Sequence, residues 1–115
     1  MATENIQIIA SKGARDGQKI LTLKGPLNIH TIFEFQTAVR DESSPTLILD
    51  FHGVPFIDSA ALGALVSAHL SRQKANRKIA LAGMNSQVKA LLEMTRVVQF
   101  FNIYSSVQDA EQVMA

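Results

Sequence analysis

Between Thr46 and Phe51 the chain reads TLILDF, and five of these six residues are apolar or β-branched, with no polar alternation. A strand with one wet face alternates, whereas a strand buried on both faces does not. The run therefore predicts a central strand in a sheet covered by helices. His52-Gly53-Val54-Pro55 follows with turn chemistry, Gly freeing φ and Pro fixing it. After Phe56-Ile57 come Asp58-Ser59, oxygen-bearing residues of the kind that cap helices. Leu62, Leu65, Val66, His69 and Leu70 then fall on one helical face as far as about Ala75, with Asn76 as a left-handed stop. Asp58 and Ser59 thus stand where a strand-loop-helix unit delivers its helix N-terminus, and function is expected there.

The flanking segments extend the same alternation. Asn5–Ala10 and Gln18–Lys24 read as two strands of a hairpin joined through a polar segment containing Asp16-Gly17, and Gly25-Pro26 ends the second. Thr31 and Glu34 have capping-box spacing, and Ile32, Phe35, Gln36 and Val39 share a face, so a helix is predicted from about His30 to Arg40. Asp41–Pro45 is a polar turn. Lys78–Ala82 is a second short buried strand, and Asn85 caps a helix that turns Val88, Leu91 and Leu92 inward. Phe100–Tyr104 is a last strand, and Ser106 with Asp109 opens a short closing helix in a capping-box pattern. The order is β-β-α-β-α-β-α-β-α. It predicts an α/β fold over residues 1–115, one domain with a mostly parallel sheet, right-handed crossovers and an antiparallel hairpin edge. Sites in such sheets sit beyond the carboxyl ends of strands, where Val54–Ser59 lies.

Composition removes several classes of function. There is no Cys, which excludes disulfides, thiol nucleophiles and thiolate metal sites. A net charge of +1 gives no electrostatic reason to expect nucleic acid. No apolar run approaches the roughly 20 residues that span a bilayer, so no membrane insertion is expected. MATENIQIIASKGARDG lacks a basic region followed by an apolar one, so no signal peptide is expected and the cytoplasm is the default compartment. Arg72, Lys74, Arg77 and Lys78 cluster as cations favoured at a helix C-terminus, with an anion site as the alternative. His30, His52 and His69 have no metal-ligand spacing, so neither metal nor cofactor is expected, and His69 reads as a packed side chain.

Catalysis is not indicated either. Ser59 is not in Gly-x-Ser-x-Gly, and no Gly-rich phosphate loop is present. A Ser-His-Asp site requires His30 or His52 to fold over Ser59. On spacing alone Asp58-Ser59 is an ordinary cap, Gly63 serves either close helix-sheet packing or a smooth partner surface, and Asp50 is a solvated strand-end carboxylate or part of the loop frame. Of the six phenylalanines, Phe33 lies off the helix stripe, and Phe100 and Phe101 cannot both face inward from one strand. One or two are therefore available for an exposed patch. Met84 and Met94, at the two ends of the third helix, suit core or interface.

The element order, with VPFIDSAALGAL before the long helix, resembles the STAS domains of bacterial anti-sigma-factor antagonists over nearly the whole chain. In that family apolar residues and an Asp end the strand, matched by Asp50, and the helix opens with Asp-Ser-(Ser/Ala/Thr)-Gly-Leu-Gly. Here Asp58, Ser59, Ala60, Ala61, Leu62 and Gly63 occupy that motif. Phe101–Ser106 ahead of Ala110-Glu111 also looks like the family's last strand and helix. The resemblance implies a non-enzymatic module that binds an anti-sigma factor with serine kinase activity. It matches Ser59 to the serine that this partner phosphorylates, and phosphorylation ends binding and returns the sigma factor to control. It leaves a serine phosphatase and a second copy of the chain open as further partners. Two positions depart from the family pattern: Ala61 stands where Gly is usual, and Asn28, after Gly25-Pro26-Leu27, where Asp is usual. Both fit an alternative in which the chain docks without being phosphorylated, as a scaffold subunit of a transport or stress-signalling complex.

Overall fold

The run at Thr46 becomes the middle strand of a sheet. The computed structural model describes residues 5–114. In order, these form β1 (Gln7–Lys12), β2 (Gln18–Lys24), α1 (Ile32–Asp41), β3 (Thr46–Gly53), α2 (Ser59–Lys74), β4 (Lys78–Ala82), α3 (Ser86–Met94), a 3-10 turn at Val98–Phe100, β5 (Asn102–Tyr104) and α4 (Val107–Val113). Residues 1–4, part of the stretch read against a leader sequence, and residue 115 lie outside the description. The strands lie in the order β1-β2-β3-β4-β5; β1 pairs antiparallel with β2, and all other neighbours are parallel.

Parallel strands laid down side by side with crossovers of one hand put every connecting helix on the same face of the sheet. Accordingly α1, α2 and α3 share one core: Phe35 and Val39, Leu65 and Ala68, and Val88 and Leu92 pack over Leu47, Leu49 and Phe51. The other face is covered by α4, where Ala110 and Met114 meet Ile20, Ile48, Ala80 and Ala82. β3 therefore has helices above and below, and Thr46 through Phe51 are all buried, as the absence of alternation predicts.

Several local expectations are corrected. β1 runs two residues later than Asn5–Ala10, and β3 extends to Gly53, which places Asp50 inside the strand. Asp50 is 9% exposed and is not a solvated strand end: its carboxylate accepts a hydrogen bond from the His52 N–H (3.1 Å) and lies 2.9 Å from His52 Nδ1. The capping box at Thr31 does not form, and α1 begins at Ile32. The Thr31 hydroxyl instead donates to the Pro26 carbonyl (2.8 Å) and accepts from the Asn28 N–H (3.0 Å). Ser106 Oγ does cap α4 by accepting from the Asp109 N–H, but the Asp109 carboxylate turns to Ser105 Oγ instead of closing the box. Phe100 sits in the 3-10 turn ahead of β5 and is exposed while Phe101 is buried, which resolves the conflict between them. His69 is packed, edge-on to Phe101 at a centroid separation of 5.5 Å.

The buried face of α2 is also displaced. It comprises Ala61, Ala64, Leu65, Ala68 and Arg72, with Leu70 exposed. Alanines let the helix lie close to the sheet, so three small residues and Leu65 mark its contact line. Arg72 is not one of a set of solvated helix-end cations. It is 4% exposed, and it donates from Nε to the Lys78 carbonyl (3.0 Å), from Nη1 to the Glu42 carbonyl (3.0 Å) and from Nη2 to the Ser44 carbonyl (2.6 Å). One guanidinium thereby ties the ends of α1 and α2 to the entries of β3 and β4. Arg72→Met should lower unfolding free energy by about 3 kcal/mol, since three carbonyls lose a charged donor. Arg72→Lys should recover less than half of that, because a point ammonium cannot reach three divergent acceptors. Urea denaturation of both variants measures the pair.

Candidate functional site

Two loops at the carboxyl ends of β2 and β3 run side by side. Leu27 and Ile57 form an isolated parallel bridge, with the Leu27 N–H donating to the Phe56 carbonyl (3.2 Å) and the Asp58 N–H to the Leu27 carbonyl (3.3 Å). Gly25 turns the first loop out of β2 and past the chain entering β1: it has φ +121°, and a Cβ there would collide with the Asn5 carbonyl oxygen. A third loop is fastened to the second by Asn85, whose amide donates to the Pro55 carbonyl (3.0 Å) while its Oδ1 caps α3 by accepting from the Val88 N–H (2.8 Å).

Asp58 closes the arrangement. Its Oδ1 accepts from the Ala61 N–H (3.0 Å), the N-cap bond of α2, and its Oδ2 accepts from the Ile29 N–H (3.0 Å) in the neighbouring loop. The Asn28 side chain shapes that loop from within, its Oδ1 accepting from the backbone N–H groups of His30 (2.9 Å) and Thr31 (3.2 Å). Asp58 thus ties the two loops together while Asn28 folds the first, and the residues between Asn28 and Thr31 turn outward.

The cap and the serine next to it are separate. Asp58 does the capping; Ser59 is the first helical residue, exposed, and its hydroxyl makes no hydrogen bond within the described residues. The N–H groups of Ser59 and Ala60 likewise have no partner there, as expected at the open end of a helix. Of the other motif residues, Ala60 and Leu62 are half-buried, Gly63 is exposed and Ala61 is fully buried. Nothing lies within 4 Å of a Cβ built on Gly63, so close helix-sheet packing is not the reason for that glycine. Asn28, at 5% exposure, lies beneath the surface with Ala61. The sequence did not single out Ile29 and Phe56, which flank Asp58 with 63% and 46% of their surfaces exposed. The signal was available in part, since both are large apolar residues inside loops.

No histidine stands ready to activate Ser59. His52 Nδ1 faces Asp50, and neither His30 nor His52 hydrogen-bonds the Ser59 hydroxyl. The chemistry on offer is an exposed hydroxyl at a helix N-terminus, beside a fixed carboxylate and two exposed apolar side chains.

A family model described as the STAS domain matches residues 8–110. Among solved structures, the chain is similar to a candidate anti-sigma factor antagonist from Thermotoga maritima, with 26% identity and a TM-score of 0.81 over 94% of this chain and 95% of that one. It is also similar in fold to a sulfate transporter family protein from Wolinella succinogenes (19% identity, TM-score 0.74, 88% and 87% covered). A third likeness is to the phosphorylated form of the Bacillus cell fate determinant SpoIIAA (14% identity, TM-score 0.67, 93% and 99% covered).

Asp58→Ala should lower stability by about 1–2 kcal/mol through loss of the cap and of the bond to Ile29. Ser59→Ala should stay within about 0.5 kcal/mol of the wild type. Urea midpoints of the two variants distinguish the roles.

Proposed function

The chain belongs to the STAS domain family, and on that footing we propose that it is an anti-sigma-factor antagonist controlled by phosphorylation at Ser59. In this reading it is a binding module, not an enzyme. Its unphosphorylated form docks on an anti-sigma factor that is also a serine kinase, freeing the sigma factor for transcription. Phosphoryl transfer to Ser59 ends the complex, and a serine phosphatase restores it. The docking face comprises Ser59, Ala60, Leu62 and Gly63, with Ile29 and Phe56 at its margin. Asn28, Asp58 and Ala61 hold this face in shape from below.

The observation that carries the proposal is the division of labour at the start of α2. Asp58 supplies the cap, so the Ser59 hydroxyl is neither needed by the fold nor occupied by it. A kinase can reach it without unwinding anything. A phosphate there brings roughly −1.5 to −2 charge. At an exposed helix end that charge is worth only about 0.3–1 kcal/mol to the fold, too little to rearrange a laced pair of loops. Placed against a partner, the same charge must be desolvated, beside an Asp58 carboxylate of like sign. That penalty reaches several kcal/mol, and about 1.4 kcal/mol is tenfold in affinity. The switch therefore acts on the interface rather than on the fold.

The likeness to a transporter-family protein favours a second reading, in which the same face holds a larger assembly together with no phosphate step. Ala61 and Asn28, which differ from the usual family residues, fit this alternative.

The experiment is a pull-down from lysate of the source organism with wild-type and Ser59→Asp baits, each checked by circular dichroism. Both baits should give the same spectrum, and only wild type should recover a kinase-like anti-sigma factor, with affinity for the purified partner falling at least about tenfold in the variant. Equal recovery of one partner by both baits would replace the switch with the scaffold reading, and an unfolded Ser59→Asp variant would overturn the interface mechanism.

A further inference from the structure

Between α1 and α2, toward their C-terminal ends, lies a cavity of about 380 Å³. Phe35, Val39, Ala64 and Ala68 give it an apolar floor, and Arg40, Arg72 and Arg77 stand on its walls with Gln36, Ser67 and Ser71. Three guanidiniums face one carboxylate, Glu42, which is already engaged: it accepts from both the N–H and the hydroxyl of Ser44. Arg72 spends three of its N–H groups on carbonyls, which leaves two of the five that a guanidinium carries. Burial, and then the neighbouring charge of Arg77, push the Arg72 pKa down, and Glu42 only partly opposes them. The cavity therefore holds like charges close together with too little negative charge to balance them.

We propose that this cavity binds a small organic phosphate, its phosphoryl group at Arg40, Arg77 and the remaining N–H groups of Arg72, its apolar part over Phe35 and Val39. A phosphomonoester suits the walls better than a carboxylate does. Three guanidiniums and two serine hydroxyls offer more donors than two oxygens accept, and guanidinium forks match the spacing of phosphate oxygens. The apolar floor excludes a bare inorganic anion as the best ligand, since an anion alone leaves that surface wet. Ser71, at the phosphoryl end, is twelve residues from Ser59, about 18 Å along the helix axis at 1.5 Å per residue, so the phosphoryl group does not touch Ser59. The site goes beyond the proposed antagonist function and stands or falls without it.

Phenyl phosphate is the probe, titrated into the full chain and followed by amide chemical shifts. Saturable shifts should be confined to residues 35–42 and 64–77, with Ser59 unmoved. Arg40→Gln and Arg77→Gln, which alter side chains the fold does not depend on, should each weaken binding about tenfold. Inorganic phosphate should bind at least tenfold more weakly than phenyl phosphate. Absence of a saturable shift, unchanged affinity in both variants, or equal affinity for the two probes would each overturn the proposal.

Discussion

β3 is buried from Thr46 to Phe51 on both faces, and the rest of the molecule follows from that constraint. A strand of this kind needs a cover on each side, which requires helices, and parallel neighbours reached by crossovers bring them. Three crossovers of one hand supply only one face. The other depends on α4, seven residues long, whose Ala110 and Met114 close over Ile48. Gln18 secures it, its side-chain amide donating to the carbonyls of Glu111 (2.9 Å) and Met114 (2.6 Å). The opening of β2 and the last helix are thus joined across nearly the full length of the chain.

At the carboxyl edge of the sheet the solution is different, since loops have no ladder to hold them. The bridge between Leu27 and Ile57, the two-armed carboxylate of Asp58 and the amides of Asn28 and Asn85 satisfy backbone groups that would otherwise need water. Each arm is an ordinary hydrogen bond, but together they convert three loops into one surface. A surface of fixed shape loses little entropy when a partner meets it. That rigidity suits the proposed docking role, in which charge rather than shape does the switching.

Much of this was legible in the sequence. The unbroken apolar run, the β-α alternation, Asn76 as a left-handed stop (φ 59°) and the caps at Asn85 and Ser106 all rest on local chemistry and all appear. The failures share a cause. Thr31 and Glu34 have capping spacing, yet the Thr31 hydroxyl is drawn to Pro26, a contact that exists only once the loop is folded. Arg72 looks like any helix-end cation until the chain turns and surrounds it with three carbonyls. Leu70 of α2 outranks its alanines in hydrophobicity, yet Leu70 is exposed while Ala61, Ala64 and Ala68 join Leu65 against the sheet. At the site, spacing could locate Asp58-Ser59, but it could not divide their roles, because Asp and Ser are both good caps and only tertiary contact with Ile29 decides between them.

The side-by-side strand order leaves the two margins of the sheet unequal. β5 has three residues and β1 six, and no described strand pairs with the outer edge of β1. A long open edge with Ile9 nearly half exposed is a template on which other extended chains can add. Lys12 is the one charged residue within β1 to discourage it. When the chain is concentrated or partly unfolded, aggregation is therefore directional: it begins at this margin and grows outward strand by strand, while β5 at the opposite margin is too short to seed it.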